Sequence, residues 1–270
     1  MCGLSAILIN SENKRKVKTD NYSDLILKMN ELIKHRGPDD EGYFIDSLNF
    51  DKKEVLSGND TPLNIINISF FYSPINNVNE TNVDDAYIAL GHRRLSIIDL
   101  SPLGHQPMCC DQKRFWIVFN GEIYNYKELK KNLINEGEVF LTNSDTEVIL
   151  KYYKKFGSKC FNYFKGMWAI IIYDSYEKEI IVCRDRFGIK PLYYYVGVSG
   201  DIYFASEIKQ FTVLPEWIAQ LNHNRAFDYI MYAQTDHTDE TLFKDVYHCP
   251  AGHLINIKIN KMQSMDSKKL

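Results

Sequence analysis

The 270-residue sequence contains no long hydrophobic run and little excess of either charge. A helix that spans a bilayer needs about 20 consecutive apolar residues, and no segment approaches that length. The formal net charge of −3 provides no global attraction to nucleic acid or to anionic membranes. The first residues also lack the basic stretch that precedes the apolar core of a secretory signal peptide. These absences predict a cytoplasmic protein that binds neither nucleic acid nor membranes.

Spacings typical of metal sites are absent as well. The six cysteines form no CxxC pair, and the seven histidines are scattered without an HExxH motif. Cys109 and Cys110 are adjacent, which is a poor start for a zinc site or a disulfide framework. We therefore expect no bound metal. The remaining composition, 45% hydrophobic and 25% charged, is that of a globular protein with a substantial core.

One cysteine stands in an unusual place. Cys2 precedes a glycine and a short apolar run in MCGLSAIL. A buried cysteine at the start of a strand is one interpretation, because cysteine packs well in cores. A second interpretation follows from removal of Met1, which a small second residue permits. Cys2 would then carry both a thiol and a free α-amine with a pKa of roughly 7.7–8.0, so a nucleophile and its proton acceptor would share one residue.

Apolar periodicity predicts five helices. They span residues 22–35, 126–136, 144–156, 206–213 and 224–232. Ser144, followed three residues later by Glu147, predicts a capping box at the start of the third helix. Four strands joined by short turns are expected between 167 and 206, as one antiparallel run. This order favours one α+β domain of two packed sheets flanked by helices.

Two segments differ from this pattern. Residues 46–87 are rich in Asn, Asp, Ser and Thr, which indicates an inserted loop or hairpin. The charged residues 261–270 predict a frayed tail.

A nucleophilic thiolate needs donors aimed at the developing oxyanion, and the segment FNGEIYN supplies candidates. A strand is expected to end at Phe119, followed by the side-chain amide of Asn120 and the backbone N–H of Gly121. The same Asn-Gly pair is also a strong turn signal. Taken singly, Arg94 fits a solvated strand residue, and Asp145 fits an acid favoured by the helix dipole. The residues alone do not decide between these interpretations.

Nine segments in a fixed order resemble the glutaminase domain of class II glutamine amidotransferases, and specifically that of asparagine synthetases. They are MCGLSAIL, HRGPDDEGYF, GHRRLSIIDLSPLGHQPM, FNGEIYNYKEL, NSDTEVIL, GMWAIIIYD, RDRFGIKPLYY, FASEIK and TLFKDVYHCPAGHLINI. The resemblance covers a domain of residues 1–260, apart from the insertion at about 46–87. It implies an N-terminal-nucleophile hydrolase fold, a four-layer α/β/β/α sandwich of two antiparallel sheets. It also implies hydrolysis of glutamine to glutamate and ammonia.

The same resemblance implies a role for each matching residue. Cys2 corresponds to the nucleophile, with its own amine as the base, and Asn120 and Gly121 to the oxyanion hole. Arg94 corresponds to the residue that binds the glutamine α-carboxylate, for which a two-donor guanidinium is suited. Asp145 corresponds to the acid that binds the α-ammonium. The remaining pocket wall corresponds to Leu95, Ser96, Ile97, Ile98 and Glu122.

One expected part of the family pattern is missing from this sequence. An SGGxDS-type pyrophosphate loop does not occur, so ATP and Mg²⁺ are expected only in a synthetase domain outside these residues, and no cofactor is expected here. Residues 261–270 are either a tail or the start of that domain. The expected partners are glutamine and an ATP-dependent synthetase domain or subunit, and a homodimer is left open.

The resemblance leaves the biological setting of the chain open. A truncated chain is favoured over a free-standing glutaminase. A non-catalytic regulatory or interaction module with the same fold is a competing hypothesis. Two more hypotheses keep the enzyme but change its chemistry: an N-terminal-cysteine hydrolase of another amide, and a glutaminase that serves a sugar or other non-aspartate acceptor.

Overall fold

The computed structural model describes residues 1–10, 21–47, 52–110, 112–259, 262 and 266–270. Parts of the predicted insertion and tail (48–51, 261 and 263–265) lie outside the described residues. The helices are α1 (Tyr22–Glu31), α2 (Leu63–Ile66), α3 (Tyr126–Asn135), α4 (Asp145–Phe156) and α5 (His223–Tyr232). The strands up to the middle of the chain are β1 (Gly3–Leu8), β2 (Asp40–Ser47), β3 (Lys53–Ser57), β4 (Asn76–Asn77), β5 (Ala86–Arg94), β6 (Met108–Cys109) and β7 (Phe115–Ile123). The later strands are β8 (Gly166–Asp174), β9 (Glu179–Arg184), β10 (Tyr193–Val196), β11 (Ile202–Ala205), β12 (Val246–His248), β13 (His253–Lys258) and β14 (Asp266–Lys269).

These strands form two sheets. The first has the order β12-β10-β11-β1-β5-β2-β3-β4, and the second has the order β14-β13-β9-β8-β7-β6. Neighbouring strands are antiparallel except for the short parallel pair of β3 and β4. β1 lies inside the first sheet, paired with β11 on one side and with β5 on the other. The N-terminal residues are therefore held at the centre of a sheet.

Alternation along the strands separates two layers of core. Leu4, Ala6 and Leu8 pack between the sheets, whereas Ile7 and Ile9 pack with α1 on the outer face of the first sheet. The rings of Phe44 and Trp116 join the sheets, with their centroids 4.0 Å apart. α4 covers the opposite face of the second sheet and packs beside α3. The layers are helix, sheet, sheet and helix, as predicted.

Three predicted helices are confirmed within two residues of their bounds, as α3, α4 and α5. The first predicted helix ends earlier, at Glu31, and the chain continues as a 3₁₀ turn over Lys34–Arg36 before Gly37. The predicted helix at 206–213 is a 3₁₀ helix over Ile208–Val213.

Only one of the two hydrogen bonds of the predicted capping box at α4 has its expected acceptor, Ser144, and the prediction for Glu147 is wrong. The Ser144 hydroxyl accepts the N–H of Thr146 at 3.0 Å and caps the helix. The Glu147 carboxylate accepts the N–H groups of Leu141 and Thr142 instead of the N–H of Ser144. Glu147 therefore fixes the loop before the helix.

The four strands between 167 and 206 are not one continuous run, so that prediction is wrong. β8 and β9 belong to the second sheet, whereas β10 and β11 belong to the first. The segment 185–192 crosses between the sheets. Within it, the Asp185 carboxylate accepts the N–H groups of Phe187, Ile189 and Lys190. Two hairpins in different sheets have the same sequence pattern as a four-stranded meander, so the pattern could not distinguish them.

The insertion contains the predicted hairpin, since β3 pairs antiparallel with β2. Its Tyr72 is buried and donates a hydrogen bond to the carbonyl oxygen of Leu103 at 2.5 Å. The prediction of a frayed tail is wrong for Asp266–Lys269, which pairs with β13. Among the described helices, none has the length and apolar character needed to cross a membrane.

Candidate active site

A cleft of about 350 Å³ opens where β1, β5 and β7 meet the start of α4. Every site residue named from the sequence lines it: Cys2, Arg94, Leu95, Ser96, Ile97, Ile98, Asn120, Gly121, Glu122 and Asp145. Strand alternation explains part of this convergence. Leu4 and Ala6 face the space between the sheets, and Cys2, two residues before Leu4, faces the same way. Ile88 and Leu90 face the same space, and Arg94 is on the same face of β5. Segments far apart in the sequence thus form one site.

The thiol of Cys2 lies beside the chain after β5. Its Sγ accepts the N–H of Leu95 at 3.3 Å and lies 3.6 Å from the oxygen of the same residue. The Arg36 side chain donates from Nε to the carbonyl oxygen of Cys2 at 2.9 Å, which fixes the backbone. Burial raises the pKa of the thiol, while the Leu95 N–H, the N-terminal ammonium and Arg94 act in the opposite direction. All six cysteines lie in the described residues, and only Cys2 is not buried.

Asn120 and Gly121 lie inside β7, paired with Ala169 and Trp168 of β8. The expected strand end at Phe119 and the competing interpretation as a turn are therefore both wrong. The side chain of Asn120 is 1% exposed, and its Nδ2 has no hydrogen-bond partner in the described part of the chain. A buried donor without a partner costs the fold about 1–3 kcal/mol, so its retention suggests a use outside folding.

Gly121 is required by close packing. A Cβ atom at this position would lie 2.3 Å from the carbonyl oxygen of Met167. Backbone atoms cannot move aside as a flexible side chain can, so no larger residue fits. Glycine at this position is therefore a requirement of the close packing of β7 against β8.

Arg94 is buried at the end of β5, which rules out a solvated strand residue. Its guanidinium donates to the carbonyl oxygens of Asp99 and Ser101. A Cβ atom on Gly104 would lie only 2.0 Å from its Nη2. The Asp99 carboxylate in turn accepts the N–H of Asn143, just before α4, at 2.8 Å. The guanidinium is therefore held in one position, with the loop around it joined to α4.

Asp145 is the first residue of α4 and is 5% exposed. Its Oδ2 accepts the N–H of Ile123 at 3.0 Å. Burial raises the pKa of the carboxyl group to about 6, although its hydrogen bonds to backbone N–H groups oppose the change. The cleft therefore contains a fixed cation, Arg94, and a buried acid that is ionised near neutral pH.

Several lining residues were not predicted from the sequence. They include Gln106, Phe119, Met167 and Lys190. Lys190 is 6% exposed, and burial lowers its pKa. It belongs to the matched segment RDRFGIKPLYY, which is the one signal that pointed to it. Among the described residues, no three metal-ligating side chains cluster, and the absence of a metal stays a prediction.

Comparison with known proteins identifies the family. A model of the glutamine amidotransferase domain matches residues 78–268. The chain belongs to this family. It is 38% identical over 239 residues to a putative glutamine-hydrolysing asparagine synthetase 2 of Methanocaldococcus jannaschii, covering 83% of this chain and 38% of that protein. It is 30% identical over 270 residues to the amidase chry2 of Gibberella zeae, covering 97% of this chain and 33% of that protein.

A solved structure shows the same fold. Glutamine phosphoribosylpyrophosphate amidotransferase from Bacillus subtilis superimposes with a TM-score of 0.65 at 19% identity, covering 99% of this chain and 49% of that one. The predicted fold, a four-layer α/β/β/α sandwich, is confirmed. The chain spans about a third of the length of these two curated relatives.

Proposed function

We propose that this amidotransferase domain hydrolyses glutamine with Cys2 as nucleophile and supplies ammonia to an ATP-dependent domain or subunit of the asparagine synthetase type. The observation that carries the proposal is the buried, unpartnered amide of Asn120 in the same cleft as the Cys2 thiol, within the described residues. A donor of this kind is suited to an oxyanion that exists only during the reaction.

The chemical steps follow from these groups. The Cys2 sulfur attacks the side-chain amide carbon of glutamine, and its proton passes to the Cys2 α-amine. Negative charge develops on the amide oxygen, where Asn120 and the N–H of Gly121 donate hydrogen bonds. Collapse of the tetrahedral intermediate breaks the C–N bond, and the α-amine returns the proton to the departing ammonia. Water then hydrolyses the thioester, which releases glutamate and restores the thiol.

Recognition of a free amino acid is assigned to two opposite charges. Arg94 binds the α-carboxylate, since an arginine fork suits a planar carboxylate. Asp145 binds the α-ammonium, and this pairing favours the ionised carboxylate that burial disfavours. The residues from Leu95 to Ile98, together with Glu122, form the wall around the side chain of the substrate.

The mechanism requires removal of Met1. Met1 lines the cleft and is 56% exposed, so it is accessible to an aminopeptidase. While it remains, the Cys2 nitrogen belongs to a peptide bond and cannot accept a proton. The intact mass of fully active protein should therefore lack Met1, and full activity in protein that retains it would refute the N-terminal base.

The decisive experiment compares Cys2→Ala with Cys110→Ala in the processed chain. Cys2→Ala should release no ammonia from glutamine and resist labelling by a glutamine-like electrophile, with an unchanged melting temperature. Cys110 is buried outside the cleft, so Cys110→Ala should retain activity and labelling. Normal ammonia release by folded Cys2→Ala would reject the proposal and favour the non-catalytic module.

The acceptor of the ammonia is a separate question. The likeness to the asparagine synthetase supports aspartate, and a non-aspartate acceptor is the alternative, since the name of the amidase chry2 specifies no acceptor. ATP and Mg²⁺ are assigned to the synthetase part in both cases. We assign the protein to the cytoplasm. Ammonia transfer from this domain to aspartate, measured with a complete synthetase partner, distinguishes the two acceptors.

A further inference from the structure

One edge of β7 lacks a strand neighbour where the cleft begins. β6 pairs only with Trp116 and Ile117, so the described strands leave this edge uncovered at Phe119. In an antiparallel ladder, the N–H and C=O groups of one residue point to the same edge, and those of the next residue point to the opposite edge. The peptide groups of Phe119 therefore need partners from elsewhere, directly before the oxyanion residue Asn120.

Two buried side chains provide these partners. The Gln106 Oε1 accepts the N–H of Phe119 at 2.8 Å, and the His92 Nε2 donates to its carbonyl oxygen at 3.0 Å. His92 is fully buried and Gln106 is 5% exposed. Both polar groups of one strand residue are thus held by side chains rather than by another strand.

Each of these side chains is tied to an element that binds substrate in the proposed function. His92 lies on β5, two residues before Arg94. The Gln106 Nε2 donates to the Thr146 hydroxyl at 3.3 Å, next to Asp145 at the start of α4. The peptide of Phe119 is therefore linked to the carboxylate-binding strand and to the ammonium-binding helix.

His92 is suited to a permanent hydrogen bond and not to proton transfer. A carbonyl oxygen only accepts, so the Nε2 atom of His92 carries a proton, and the low pKa of this buried ring keeps the imidazole neutral. Burial lowers the pKa of His92 to about 3, and its Nδ1 has no partner in the described chain. The charged or titratable groups that act on it are Arg94 and His105, which also disfavour protonation. The bond to Phe119 therefore persists throughout the neutral pH range.

We propose that His92 and Gln106 are positioning residues that hold the Phe119 peptide and thereby aim the amide of Asn120 at the oxyanion. The inference rests on the proposed glutaminase function. Both act through Phe119 and not on the substrate charges, so their loss should lower kcat and leave the KM for glutamine nearly unchanged. A misplacement of about 1 Å in such a site costs up to roughly 10²-fold in rate.

The test separates hydrogen bonding from packing at position 92. The side-chain amide of His92→Gln can reach the position of Nε2 and donate, whereas His92→Leu cannot donate. His92→Leu should lower kcat by about 10-fold to 100-fold, with KM within about twofold, and His92→Gln should restore most of the rate. Gln106→Met should reproduce the lower kcat and provides the same test if His92→Leu does not fold. Val182→Ala, a core change in β9 outside the cleft, controls for lost stability and should keep a normal kcat.

The possible results are distinguishable. Normal kcat in folded His92→Leu or Gln106→Met would overturn the positioning role while leaving the glutaminase function intact. Equal loss of kcat in His92→Gln and His92→Leu would also overturn it, because the donor would then not matter. A processed wild-type chain that releases no ammonia would overturn the glutaminase function and this inference with it.

Discussion

The carboxylate of Asp145 accepts the backbone N–H of Ile123 at 3.0 Å, which ties the start of α4 to the strand that carries Asn120 and Gly121. One carboxyl oxygen is thus used to join two parts of the cleft. The remaining oxygen can pair with the α-ammonium of glutamine under the proposed function. The same burial that fixes this acid raises its pKa to about 6.

Glutamine binding should therefore weaken as the pH falls through about 6. A protonated Asp145 is neutral and no longer attracts the ammonium. The dissociation constant of glutamine for Cys2→Ala, measured by calorimetry between pH 8 and pH 5, isolates binding from catalysis. Asp145→Asn in the same background should bind weakly at every pH. Constant tight binding down to pH 5 would contradict the assignment of Asp145.

Asp145→Asn should also stabilise the protein at alkaline pH. The folded-state pKa of about 6 exceeds the ordinary 3.8, so ionisation disfavours the folded state increasingly as the pH rises between these values. Above pH 7, this difference in pKa lowers the free energy of unfolding of the wild type by on the order of 2–3 kcal/mol. The melting temperature of Asp145→Asn should exceed that of the wild type at pH 8, and the two should converge near pH 4. The control is Asp174→Asn, which weakens the ion pair with Arg114 and should instead lower the melting temperature at pH 8.

Arg94→Lys should raise the KM for glutamine strongly, because a point charge cannot reproduce a two-donor contact with a carboxylate. Gly104→Ala should act in the same direction, since its Cβ would displace the Arg94 guanidinium. Steady-state kinetics at varied glutamine concentration measure both effects. Arg114→Lys is the matched control, because Arg114 contacts Asp174 through two nitrogens outside the cleft. An unchanged KM in both cleft variants would remove Arg94 from substrate binding.

Asn120→Ala should lower kcat by about 10²–10³, with little change in the KM for glutamine. Under the proposed function, the Asn120 amide donates a hydrogen bond only to the tetrahedral intermediate. The Asn120 Nδ2 has no hydrogen-bond partner in the described part of the chain. Removing it breaks no hydrogen bond there, so the melting temperature should not fall for that reason. Kinetics and thermal melting on one preparation decide the matter. A normal kcat with a depressed melting temperature would make Asn120 a structural residue.

The sequence predicted most of the local structure, and every residue that it named for the site lines the cleft, but it missed the lining residues Gln106, Phe119, Met167 and Lys190. Helical periodicity located α3 and α4 because their apolar faces are local patterns. The Asn120-Gly121 pair has a local turn signal, which the pairing of β7 with β8 overrides. That pairing joins segments more than 40 residues apart, so propensity within the segment could not detect it.

The positioning contacts were missed for a different reason. His92 and Gln106 bind backbone atoms of Phe119, and a contact to backbone leaves no complementary residue type in the sequence. Lys190 was missed although it lies in the matched segment RDRFGIKPLYY. Composition and periodicity locate elements, whereas polar contacts of this kind depend on how the two sheets meet.

The position of Cys2 ahead of the central strand β1 has a practical consequence for protein production. Residue 1 already lines the cleft, so an affinity tag fused in front of it would lie at the cleft to which glutamine binding is assigned in the proposed function. Such a tag would also prevent an aminopeptidase from exposing the Cys2 amine unless a protease cut it off directly before Cys2. A tag placed away from Cys2, or one that a protease removes directly before Cys2, avoids both effects.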